Sequence, residues 1–112
     1  MGFKKIIIEN YTFKNQIQKI KEEVNELEKA KTFENKKEEA LDVIQSTLTL
    51  LLNIYKDEEV KKEDIANKFY KDLKKHDKKI DKNYKTDNEI DIDFIFYIRS
   101  FKDENSWRIF KK

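Results

Sequence analysis

The sequence predicts a mainly α-helical protein, an antiparallel helical bundle completed by oligomerisation, with a small C-terminal β element. Three observations carry this. Apolar residues recur at helical spacing in three successive segments. Proline is absent and the one glycine is Gly2, so nothing interrupts those segments. Only beyond about residue 90 does the apolar period change to two.

The first helix is expected to start near Tyr11 or Thr12, with Thr12 as its N-cap, and to end around Lys31. Phe13, Ile17, Ile20, Val24 and Leu27 then form one apolar stripe. The second helix is expected over about Asn35 to Tyr55, and it differs from the rest of the chain. Between Leu41 and Tyr55 its only charged residue is Asp42, although 43% of the whole chain is charged. Leu41, Ile44, Leu48, Leu51, Leu52 and Tyr55 mark one apolar face, and Val43, Leu50 and Ile54 a second. A helix apolar on two faces must be covered on both. The polar stripe left over is Glu39, Asp42, Ser46, Thr49 and Asn53. Its short side chains suit an enclosed site or a partner helix rather than bulk water.

The third helix is expected over Lys61 to Lys82, with Ile65, Phe69, Leu73, His76, Ile80 and Tyr84 inward and Lys75, Lys79 and Lys82 as a basic row beside them. In the tail, Ile90, Ile92, Phe94, Phe96 and Ile98 alternate with their neighbours as in a strand, and Trp107 to Phe110 reads as a returning strand. Lys4 to Ile8 reads as a further short strand. The chain is expected to form a single domain, with a helical core at about 12–85 and the strand-like tail at about 90–112.

Composition narrows the function. The 112 residues carry 25 Lys and Arg against 23 Asp and Glu, a net charge of +2. A dedicated binder of nucleic acid or of a membrane surface should carry a clear basic excess, so neither partner is expected. With no cysteine, disulfides, thiolate metal sites and thiol catalysis are excluded. With Gly2 alone, glycine-rich phosphate loops are excluded too. No apolar run is long enough to cross a bilayer or to act as a signal peptide, and the expected location is cytoplasmic. A core this small would gain from pairing with a second copy.

The chemistry concentrates in carboxylates. Helix one carries Glu22, Glu23 and Glu26, and helix two carries Glu39 and Asp42. Residues three or four apart are neighbours on a helix surface, so each helix presents a compact acidic patch. The short connection around Lys31 to Glu34 favours antiparallel neighbours, which brings both patches to the same end of the hairpin. Carboxylates converging without cations repel, and a divalent ion removes the conflict. Hard oxygen ligands select Mg²⁺, Mn²⁺ or Ca²⁺, and Mg²⁺ commonly takes further ligands from substrate phosphates. The row Lys75, Lys79, Lys82 could contact such phosphates as point charges. Ser46, Thr49 and Asn53 could line a base or sugar pocket or hydrogen-bond across an interface. His76 reads as a partly buried, satisfied histidine.

The pattern Glu-Glu-x-x-Glu, twelve residues, then Glu-x-x-Asp resembles the MazG-like nucleoside triphosphate pyrophosphohydrolases of the all-α NTP pyrophosphatase superfamily. Glu39-Ala40-Leu41-Asp42-Val43-Ile44-Gln45 looks like that family's second motif helix, and Lys75-His76-Asp77-Lys78-Lys79-Ile80 is similar to a stretch of its third. Where the family usually continues into an Arg-Gly pair, this chain has Lys82-Asn83-Tyr84. The resemblance spans roughly residues 12 to 85. It implies Mg²⁺ ligation by Glu23, Glu26, Glu39 and Asp42, with Glu22 as a further ligand or with Glu22 or Glu23 as the catalytic base. It also implies hydrolysis of an NTP or dNTP to the monophosphate and pyrophosphate by a metal-activated water, in a homodimer or homotetramer. Phosphate contact would come from Lys75, Lys79 and Lys82, and a nucleoside pocket from Ser46 and Asn53. Four alternatives remain at this level. Two are enzymes with the same metal logic, a dimeric dUTPase type and a phosphoribosyl-ATP pyrophosphohydrolase. The third is a non-enzymatic helical interaction or regulatory module, and the fourth an enzyme-derived fold that keeps metal binding and has lost activity.

Overall fold

A computed structural model of the chain describes residues 3–87. They form three α-helices: α1 (Phe13–Lys29), α2 (Phe33–Asp57) and α3 (Ile65–Asn83), with a 3-10 turn at Lys62–Asp64. The described residues are mainly helical and contain no strand. They fall into two compact units, Ile6–Glu59 and a second that draws on 3–5 and 60–87. No described helix is long and apolar enough to cross a membrane.

The helix starts follow from local hydrogen bonding. Thr12 is extended, and its Oγ1 accepts the Asn15 backbone N–H at 3.0 Å. Thr32 does the same for Asn35 at 3.1 Å, so α2 begins two residues before the expected Asn35. Each cap satisfies one of the N–H groups that a helix start leaves without an intrahelical partner. Between the two helices lie only residues 30–32. That short link reverses the chain, and α1 and α2 pack antiparallel. α2 has 25 residues and so runs about 37 Å. It ends where Glu59 takes a left-handed φ of 63°, an unusual conformation for a residue with a Cβ. The Glu59 N–H there donates to the Lys56 carbonyl at 2.9 Å.

In the second unit, the predicted start of α3 is replaced by the 3-10 turn, and the α-helix proper begins at Ile65. Ile65, Ala66 and Phe69 are buried, while Lys75, Lys79 and Lys82 are exposed. His76 and Tyr84, expected on the inner stripe, are exposed as well. Both lie toward the far end of the helix, whereas burial on α3 is confined to its first turns, and Tyr84 is already the extended C-cap residue. Lys4 to Ile8 forms no strand. The predicted tail strands, Ile90 to Ile98 and Trp107 to Phe110, lie outside the described residues.

The largest difference from expectation is the rotation of α1. Phe13 and Val24, expected inside, are 55% and 45% exposed. Gln16 and Glu23 are buried instead, at 5% and 7%. α1 therefore meets α2 with a partly polar face. α2 answers with its own polar stripe, in which Ser46 and Thr49 are buried. Gln16 Nε2 donates to the Ser46 backbone carbonyl at 2.9 Å and fixes the contact. A buried amide must find such a partner, so this bond holds the rotation in place. α2 also buries Leu48, Leu50, Leu52 and Tyr55. Its burial thus extends over more than one face, as expected, although Leu41 and Ile54 remain exposed.

Candidate metal centre

The polar contact between α1 and α2 brings the carboxylates together. Glu23 and Glu26 come from the last turns of α1, and Glu39 comes from the second turn of α2. One carboxylate oxygen from each lies within 4.8 Å of the other two. Asp42, one turn beyond Glu39, stands outside this trio, but its charge acts on Glu39. Glu22 is exposed on α1.

Glu39 is half-buried, and its Oε2 is shielded from solvent without a hydrogen-bond partner. Burial, followed by the charges of Glu26, Asp42 and Glu23 and a side-chain hydrogen bond with Glu26, holds its carboxyl above the ordinary carboxylate range. Ionising all of these carboxylates together is costly, and a proton on Glu39 or a bound cation relieves that cost. The donor set is all carboxylate oxygen. It therefore fits a hard divalent ion such as Mg²⁺ and does not suit a thiolate-seeking metal.

The cluster is not free of cations. Lys19 Nζ pairs with Glu23 Oε1 at 2.8 Å, one turn back along α1. That hydrogen bond and the Glu23 charge raise the Lys19 pKa, and Glu22 and Glu26 add to the effect against a smaller opposing one from burial. The ammonium is thus firmly charged at neutral pH. Sequence reasoning passed over Lys19, although its i,i+4 spacing to Glu23 was the available signal.

Lys19 also lines a cavity of about 310 Å³ beside the cluster. The walls are Ile6, Ile8, Asn10, Tyr11 and Thr12 from the segment entering α1, Asn15 and Gln16 from α1, and Ser46 and Thr49 from α2. Of the two residues assigned to a nucleoside pocket, Ser46 lies on this cavity. Asn53 is two turns further along α2, with its Nδ2 donating to the Thr49 carbonyl at 2.8 Å. Lys75, Lys79 and Lys82 belong to the other unit.

Comparison of the chain with protein-family models, curated proteins and solved structures gives no match.

Proposed function

We propose that this protein is an Mg²⁺-dependent nucleoside triphosphate pyrophosphohydrolase, releasing pyrophosphate from an NTP or dNTP. The observation that carries the reading is the convergence of Glu23, Glu26 and Glu39 around the shielded, unpartnered Glu39 Oε2. The cavity that shares Lys19 with this cluster adds room for the organic part of a phosphorylated substrate. The resemblance to MazG-like enzymes in acid spacing points the same way.

Glu23, Glu26, Glu39 and Asp42 would hold the ion, with Mn²⁺ as a possible substitute for Mg²⁺. When bound, such an ion polarises phosphoryl oxygens and lowers the pKa of a coordinated water. Lys19 would neutralise charge on the phosphate chain, being close to Glu23 and charged. Glu22, exposed beside the cluster, would accept or orient a proton at its carboxylate. Lys75, Lys79 and Lys82 remain candidates for phosphate contact. Exposed Phe13, Val24 and Leu41 support pairing of the hairpin with a second copy of the chain, since their burial there would be favourable. The same exposure favours the rival reading of an interaction module with a merely acidic surface.

Pyrophosphate release from a panel of NTPs and dNTPs, with Mg²⁺ or with EDTA, tests the proposal on wild type and Asp42→Asn. Metal-dependent release that the variant loses is the expected result. No release from any nucleotide by the folded wild-type protein would shift the reading to the interaction module.

A further inference from the structure

The net charge of +2 averages over two units of opposite sign. The hairpin unit, Ile6–Glu59, holds eight lysines against twelve Asp and Glu. The described residues of the second unit, 3–5 and 60–87, hold twelve lysines against six Asp and Glu. That excess concentrates on α3, which contains seven lysines and three aspartates. Lys71, Lys74, Lys75, Lys78, Lys79 and Lys82 are all exposed. At about 3.6 residues per turn they fall within an arc of about 140°, on the side opposite Ile65 and Phe69. Asp72, Asp77 and Asp81 all fall outside that arc. Asp72 pairs with Lys68 at 3.7 Å, and Asp81 accepts the Thr86 hydroxyl at 3.1 Å. Among the described residues, none of the six lysines makes an ion pair.

Like charges at three- and four-residue spacing destabilise a helix, and an anionic partner removes that cost. We propose that this lysine face binds the phosphate backbone of duplex DNA without sequence preference. The lysines spread around the helix rather than along one line. A groove with phosphates on both walls reaches more of them than a plane does, and the major groove of B-DNA admits an α-helix. Apart from the lysines, the arc contains only Asn67, so it offers no apolar side chain to a lipid surface. The apolar Ile65, Ala66 and Phe69 are turned inward. A lysine ammonium is a point charge, and phosphate contacts position a protein without reading sequence. At about 0.1 M salt the Debye length is about 10 Å, so this local face counts for more than the near-neutral total. The segregation of charge overrides the expectation, drawn from the whole-chain balance, that no nucleic acid binds. The inference goes beyond the nucleotide reading and stands without it.

Fluorescence anisotropy of a short labelled DNA duplex of mixed sequence, titrated with the full chain in EDTA, tests the face without metal or turnover. Contact with about four phosphates gives a slope of about −4 for log K against log salt, and affinity weakening about a hundredfold from about 50 to about 200 mM NaCl. Lys74→Gln with Lys78→Gln should reduce that slope by about two and weaken binding at least about tenfold. Lys14→Gln with Lys21→Gln removes the same charge from exposed positions of the hairpin unit and should change binding by less than about twofold. Circular dichroism checks that both variants fold. Equal weakening by the two double variants would overturn the assignment to α3. So would a slope near zero, or no binding by folded protein at the lowest salt. Equal or tighter binding to phosphatidylserine vesicles or to poly-glutamate would overturn the choice of a duplex. No nucleotide is hydrolysed in these measurements, so this inference and the enzyme proposal fail separately.

Discussion

α1 and α3 are both amphipathic helices with an apolar stripe at three- and four-residue spacing, and both half-bury part of it, yet their most enclosed positions differ in kind. α3 buries Ile65, Ala66 and Phe69 and leaves its lysines in solvent. α1 buries Gln16 and Glu23 and leaves Phe13 and Val24 about half exposed. In α3 the hydrophobic effect alone accounts for the arrangement. In α1 a buried side chain–backbone hydrogen bond and a set of converging carboxylates override it locally. A chain that spends burial on polar groups while exposing apolar ones is not maximising stability, and such departures concentrate where function is built. The contrast falls at the α1–α2 contact, where the proposed site lies.

The sharpest way to test that contrast is through turnover. Glu39→Gln should lower pyrophosphate release by at least about a hundredfold, the loss expected when a charged metal ligand is removed, while the fold survives. Steady-state rates with Mg²⁺ on a folded variant measure it. An unchanged rate would leave α1 and α2 as an ordinary hairpin with an acidic rim.

Next in size is the bond that fixes the rotation. Gln16→Ala should cost about 1–3 kcal/mol, since it removes a buried hydrogen bond and part of the packing around it. Urea denaturation gives the value. A change near zero would mean that the polar face of α1 is not held by Gln16.

The third expectation concerns Glu39 and pH. Its carboxyl is held above the ordinary range by burial and by neighbouring carboxylates. The folded chain therefore keeps its proton at a pH where the unfolded chain has lost it. The stability this group contributes is present below the ordinary carboxylate pKa and falls as pH rises from there through the raised folded value. Melting temperature should accordingly respond less to pH in Glu39→Gln than in wild type across the mildly acidic range. The variant should also melt higher than metal-free wild type at neutral pH. A substitution that abolishes turnover and stabilises the metal-free protein would mark Glu39 as functional. Identical pH profiles for the two proteins would count against a perturbed Glu39.

The smallest effect belongs to α3. Lys78→Ala, on its solvated face, should change stability by less than about 0.5 kcal/mol. A large loss there would blur the distinction between the two helices.

Much of the helical frame can be read along the chain, because helix period and capping are local. Thr12 and the run from Phe13 to Leu27 announce α1, and the spacing of Glu23, Glu26 and Glu39 announces that acids could converge. Thr32 is an equally good cap that the reading missed, since Asn35 competes for the role two residues on. The 3-10 turn at Lys62–Asp64 carries no distinctive pattern.

What the sequence by itself determined is where the helices lie, that a short link folds α1 back on α2, and that α2 must be covered on more than one side. Those follow from periodicity, chain reach and the burial that apolar residues demand. Only the tertiary structure decided which face of α1 turns toward α2. The apolar stripe argued for Phe13 and Val24, and the hydrogen bond from Gln16 to the Ser46 carbonyl decided otherwise. Rotation about a helix axis is a property of the pair rather than of either helix. It depends on polar groups some thirty residues apart satisfying each other, and no local pattern encodes that.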